Sequence, residues 1–143
     1  MKRLLFVLFI AVAFVSCEGP MGPQGPDGEP GGTWEEMKFI VHANEWTKIV
    51  EKGTPTFYYS YEGTWNALDE LAVERGIVIP YMLDFTGAYT TLPYVFHDKD
   101  SNTEWTETTS FSFFKGGFEV QVTNSDFADV SPGEKSFRII IFK

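Results

Sequence analysis

The chain has 143 residues, 20 of them acidic and 11 basic, for a formal net charge of −9. A surface of that sign repels phosphate backbones and anionic lipid, which argues against a nucleic-acid partner and against electrostatic docking on a membrane. One cysteine excludes an intramolecular disulfide, so any folded domain stands on its core alone.

Residues 1–16 begin with Lys2 and Arg3, continue as an apolar run from Leu4 to Val15 and end at Ser16. That three-part layout predicts a secretory signal. The run falls short of the about 20 residues that a helix rising about 1.5 Å per residue needs to cross the hydrocarbon core. Its removal takes Lys2 and Arg3 but no acid, so the formal charge moves from −9 to −11.

Ser16-Cys17 closes the apolar run and looks like the lipobox of bacterial lipoproteins, in which cleavage leaves a diacylated N-terminal cysteine. Phe14 departs from that pattern, where the family usually has Leu, Val or Ile. The resemblance implies lipidation at Cys17 and makes the membrane a partner through the acyl chains; two chains anchor stably where one anchors marginally.

From Gly19 the triplets run Gly-Pro-Met, Gly-Pro-Gln, Gly-Pro-Asp, Gly-Glu-Pro and Gly-Gly-Thr, with glycine at Gly19, Gly22, Gly25, Gly28 and Gly31. This is collagen phasing: only glycine fits beside the axis of a triple helix, and proline presets the polyproline II dihedrals. Residues 17–32 therefore form a lipidated cysteine and a stiff tether, and about 15 residues at about 3.1 Å each reach roughly 45 Å. So few triplets favour a single-chain spacer and a monomer; the alternative is a homotrimer assisted by the folded domain.

Residues 33–143 suffice for one compact domain. Period-two alternation and β-branched or aromatic runs predict strands at 36–43, 46–50, 56–61, 77–83, 92–97, 106–114, 118–123 and 136–142. Lys115-Gly116-Gly117 marks a hairpin, because glycine accepts positive φ. Between the third and fourth strands, Asn66 is placed to cap a short helix that shares Leu68, Leu71 and Ala72 on one face and stops at Gly76. The strand Ile77-Val-Ile-Pro-Tyr-Met-Leu83 is expected to be central, with Pro80 at a bulge or turned to the edge side. The predicted fold is all-β: a single antiparallel sandwich of about seven or eight strands with one short helix, behind a signal peptide and a collagen-like tether.

This order of features resembles small collagen-like lipoproteins of Bacteroidota-type bacteria, which carry a β-domain after the Gly-Xaa-Yaa tract. The residues that carry the resemblance are Asn44-Glu45-Trp46, Arg75-Gly76-Ile77-Val78-Ile79-Pro80-Tyr81, Leu92-Pro93-Tyr94 and Phe137-Arg138-Ile139-Ile140. Pro80 departs from it. The resemblance implies an outer-membrane lipoprotein, facing the periplasm or the cell surface, and brings no activity or site with it.

Catalytic and metal chemistry find few residues to work with. Asp98, Asp100 and Asn102 alternate as the opening of a calcium loop does, but Thr103 stands where the turn wants glycine and Thr109 where a bidentate glutamate closes the shell. A polar turn explains the same residues. His42 and His97 are too few for zinc, no Gly-x-Ser-x-Gly elbow occurs, and Glu35/Glu36, Asp69/Glu70 and Glu104/Glu107 read as solvated faces. Neither an enzyme nor a cofactor is expected. Trp34, Trp46, Trp65 and Trp105 remain as candidate ligand-binding aromatics, since flat rings stack on sugars as readily as they fill cores. The function expected is a lipid-anchored envelope protein displaying a non-catalytic interaction module, with an unidentified protein or a glycan as partner; the alternatives are a glycan-binding module and a trimeric collagen-like surface protein.

Overall fold

The computed structural model describes residues 31–99 and 101–143. The signal segment, Cys17 and the tether glycines before Gly31 lie outside the described residues, as does Asp100. In chain order the elements are β1 Trp34–Val41, β2 Thr47–Val50, β3 Phe57–Thr64, α1 Glu70–Glu74, β4 Ile77–Leu83, β5 Tyr89–Thr91, β6 Tyr94–Lys99, β7 Glu104–Phe114, β8 Gly117–Asn124 and β9 Lys135–Phe142.

They form two antiparallel sheets, one ordered β1-β9-β4-β5 and the other β2-β3-β8-β7-β6. The all-β sandwich is present, with one strand more than expected. Alternation along the two inner strands builds its core: Phe118, Val120 and Val122 of β8 face Phe137, Ile139 and Ile141 of β9, and all six are buried. Burying each such side chain contributes about 1.5–3 kcal/mol. Phe39 of β1 welds the sheets together, with its ring centroid 4.9 Å from Phe118 and 5.2 Å from Phe137. Gly63 of β3 makes room for Phe118, since a Cβ there would lie 2.2 Å from the ring.

The extra strand is β5, which pairs with β4 and lies just ahead of the strand predicted at 92–97; that predicted strand is β6, in the opposite sheet. Pro93 has no N–H for a ladder, so the step between them is where the chain changes sheets. Pro80 sits inside β4, opposite Ile139. Its carbonyl accepts from the Leu92 N–H at 3.0 Å, so its nitrogen also faces the β5 side, just beyond the β4–β5 ladder.

Two local expectations change. The helix is capped by Asp69 rather than Asn66: the Asp69 carboxylate accepts the Ala72 N–H at 2.8 Å, and that bond, then Lys143, holds its pKa below the ordinary value. Starting later, the helix buries Ala72 and turns Leu71 to solvent, while Leu68 is buried in the bend ahead of it. Gly76 does end it, by close packing rather than positive φ, because a Cβ would lie 2.6 Å from the Ala72 carbonyl oxygen. At the β7–β8 hairpin only Gly116 has positive φ, at 85°, while Gly117 already belongs to β8.

Strand register defines two ends. Trp34, Phe142 and Ile77 lie side by side at one end, where the Thr33 and Lys143 backbones exchange bonds of 3.0 and 2.9 Å. The helix and the β7–β8 turn close this end, since the Gly116 N–H donates to the Leu68 carbonyl at 2.7 Å. At the other end Val41 pairs with Lys135, Glu107 with Asn124 and Trp105 with Asp98.

Candidate functional site

At that second end the inward-facing positions change character. On β7, Trp105 and Glu107 occupy the same face as buried Thr109, and on β6 Tyr94, Phe96 and Asp98 stand opposite them. Asn124 continues the inward row of β8, and Lys135 that of β9. Here the sheets meet through an ion pair, with Lys135 Nζ 2.7 Å from Glu107 Oε1 and both side chains largely shielded. Polar ends to apolar rows leave the sandwich open.

Three hollows result, and Asp98 and Trp105 line all of them. One of ≈ 480 Å³ is lined by Phe85, Tyr94, Phe96 and Glu134. A second of ≈ 450 Å³ lies against Asn124, Asp126 and Pro132 and shares Glu107 with the first. The third, ≈ 420 Å³, reaches His97, Glu104 and Ser125. Each falls within the about 300–1,000 Å³ of small-ligand sites.

Both walls are braced. The turn after β4 is organised by Asp84, whose Oδ1 accepts from the Thr86 N–H at 2.8 Å, the Thr86 hydroxyl at 2.6 Å and the Ala88 N–H at 3.0 Å. These bonds, the Thr86 hydroxyl first, hold its pKa below the ordinary value. The turn presents Phe85, 79% exposed, edge-on to Phe96 with ring centroids 5.4 Å apart.

The opposite wall is the 125–134 segment. Trp46 donates its indole N–H to the Gly133 carbonyl at 3.1 Å, and the Ser131 hydroxyl donates to that of Ala43 at 3.1 Å. Asp129 accepts the Tyr59 hydroxyl at 2.9 Å and lies 2.7 Å from Lys48 Nζ. Lys48 first and Tyr59 next lower its pKa, while burial first and Asp129 next raise that of Tyr59. Phe127 has φ 51°, a left-handed conformation costing about 1 kcal/mol or more in a bulky residue. Its ring packs against Phe57, centroids 6.4 Å apart.

Both wall aspartates titrate below their unfolded value of 3.8, so the stability they add is present above that value and lost as pH falls through the folded one. Melting midpoints should hold from about pH 5 to 8 and drop below about pH 4, and Asp129→Asn should flatten part of that drop. A midpoint unchanged down to pH 3 would contradict the bracing.

The four tryptophans separate. Trp105 is half-buried in the cleft. Trp46 is buried, and Trp65 is partly buried against the core, away from the cleft lining. Trp34, 61% exposed, lies at the other end. Of the calcium candidates, Asp98 pairs in register with Trp105 and accepts the Lys99 N–H at 2.8 Å. Asn102 follows in a bend and has a partner of its own, and Asp100 lies outside the described residues. No group of three or more His, Cys, Asp or Glu placed to hold a metal ion occurs among the described residues.

Glu107 is a correction: it is no solvated residue but an inward one, ion-paired to Lys135. The alternation Trp105, Glu107, Thr109, Phe111 was the available signal, since residues two apart share a face. Asn124 adds a buried amide oxygen with no hydrogen-bond donor among the described residues. A half-buried indole flanked by carboxylate and amide acceptors suits a ligand with a flat apolar face and a rim of hydroxyl donors.

No protein-family model, curated protein or solved structure matches this chain. Fold and cleft together define a two-sheet β-sandwich with hollows at one end.

Proposed function

We propose that the chain is a lipid-anchored, non-catalytic binding module of the cell envelope and that its ligand is a saccharide held in the cleft at Trp105. The observation that carries this reading is the convergence of three hollows on one half-buried indole beside Asp98, with Glu107 and Asn124 in reach of the same space. Glu107 is engaged in joining the sheets, which suits a static binding wall better than a proton-transferring group.

The signal-like leader, Cys17 and the collagen-like tract support the anchored, envelope part of the reading, as does the resemblance to collagen-like lipoproteins. The tract's last glycines come just before Trp34, at the end of β1 away from the cleft. β1 then carries the chain about 23 Å along the sandwich, at about 3.3 Å per residue, so the cleft is at the opposite end of the sandwich from Trp34.

Intrinsic tryptophan fluorescence of the chain from Glu18 onward, titrated with a panel of glycans, should shift with at least one; no shift with any would reject the saccharide. Metabolic labelling with an alkyne fatty acid should mark the wild type and spare Cys17→Ala. Equal labelling of both would reject the anchor.

A further inference from the structure

The two sheets end in four edge strands, and three of them are blunted. β5 has three residues and β2 four, and β6 closes on exposed His97, Asp98 and Lys99. Short or charged edges resist pairing with another chain. β1 differs: Trp34–Val41 is eight residues long, pairs with β9 residue for residue without a bulge and holds no proline.

The ladder decides which backbone groups of β1 are left over. Thr33 and Lys143 exchange both of their bonds, at 3.0 and 2.9 Å. Such positions alternate in an antiparallel pair, so Glu35, Met37, Phe39 and Val41 also turn their N–H and C=O groups to β9. The N–H and C=O groups of Trp34, Glu36, Lys38 and Ile40 therefore point away from β9, along the open edge. Side chains of these four residues share the outer face of the sheet, where Trp34, Lys38 and Ile40 are exposed.

The same four residues specify a partner. Laid antiparallel on a second copy of itself, the strand puts Trp34 opposite Ile40, Glu36 opposite Lys38 and Met37 opposite Met37. Apolar meets apolar and acid meets base on both sides of a two-fold axis. Each Trp34, 61% exposed, covers an Ile40, 49% exposed, of the other copy. Lys38 can turn to the second copy without stranding Glu36: its side chain is 62% exposed, and Arg138 Nε holds the same Glu36 oxygen at 2.8 Å. Glu35 falls opposite Phe39 and keeps Lys143 at 3.0 Å.

Charge also selects the register. A slide of two residues in either direction sets Glu36 against Glu36 or Lys38 against Lys38, and like charges directly opposite are destabilising. A slide of one residue opposes groups that point along the edge to groups already bonded to β9.

We infer that β1 is a dimerisation edge: two copies of this chain pair through it, antiparallel and centred on Met37, and join their four-stranded sheets into one continuous sheet. About eight backbone hydrogen bonds close the seam, donated and accepted by Trp34, Glu36, Lys38 and Ile40 of each copy. None of these residues lines the three hollows, so the inference goes beyond the saccharide reading and does not rest on it.

The full chain, expressed from Met1 and purified in density-matched detergent at micromolar concentration, should sediment with the protein mass of two copies. Lys38→Glu sets carboxylates against each other on both sides of the axis and should weaken dimerisation by at least about tenfold. The new carboxylate stands opposite Arg138 in the β1–β9 ladder, so near-ultraviolet circular dichroism should keep the wild-type signature of buried Trp46. Adding Glu36→Lys to Lys38→Glu restores opposite charges across the axis and should restore the dimer. A wild type of any mass other than two copies would overturn the inference. So would a Lys38→Glu protein that dimerises as tightly as wild type, or a folded double variant that stays single. The glycan-induced fluorescence shift is read separately, so the two proposals fail separately.

Discussion

Replacing Trp105 by alanine should lower saccharide affinity by at least about 30-fold, the effect of about 2 kcal/mol at a hot-spot aromatic. The indole is the surface common to all three hollows, and its truncation leaves the carboxylates and the Asn124 amide with no ring to orient the ligand between them. Stability should fall by only about 1 kcal/mol, because the ring is half-exposed at the start of β7 and outside the buried core. Trp34→Ala is the matched control: it removes a more exposed indole from the other end and should leave affinity unchanged. Titration of both variants by isothermal calorimetry separates them. Equal affinity for Trp105→Ala and wild type would remove the cleft from consideration.

The largest loss of stability is expected at Trp46, where alanine should cost about 3–5 kcal/mol and lower the melting midpoint by about 10–20 °C. Two roles add there. Its ring is buried, with its centroid 6.5 Å from that of Tyr61, and deleting it leaves a cavity that the sheets on either side close only in part. Its N–H holds the Gly133 carbonyl, one of the bonds that keep the 125–134 segment against the sandwich. Trp46→Phe divides the two roles, because it keeps most of the ring and loses the donor. That variant should cost about 1–2 kcal/mol of stability, measured by urea unfolding, and weaken saccharide binding through a looser wall. Full stability in Trp46→Ala would contradict its place in the core.

The strands were legible because their side chains alternate. Phe118-Glu-Val-Gln-Val and Phe137-Arg-Ile-Ile-Ile announce one buried face each, and Gly116 announces the turn between β7 and β8. Alternation separates the two faces of a strand but does not say which faces the opposite sheet, nor where the sandwich stops. Trp34 and Trp105 both begin strands beside acids and look alike in sequence; the pairing of Glu35, Met37 and Phe39 with Ile141, Ile139 and Phe137 turns Trp34 out, while the register of Trp105 with Asp98 turns it in. The same limit hid Glu107, whose partner Lys135 lies 28 residues away on the other sheet. β5 was hidden for a different reason: three residues are too few for a periodicity, and the strand exists through its pairing with β4. The helix cap is at Asp69 rather than Asn66 because the Asp69 carboxylate accepts the Ala72 N–H, with Lys143 as a further partner at 2.9 Å. Long-range pairs set the placing of Trp34, Trp105, Glu107 and β5, and local pattern does not carry them.

The four indole N–H groups give the most direct measurement, since each tryptophan contributes one resolved signal in a ¹H–¹⁵N spectrum. On addition of a saccharide that shifts the fluorescence, the Trp105 signal should move, with smaller changes at Trp46 through the Gly133 wall and none at Trp34 or Trp65. Movement of Trp34 with Trp105 unchanged, or no movement of any indole, would contradict a saccharide site in the cleft.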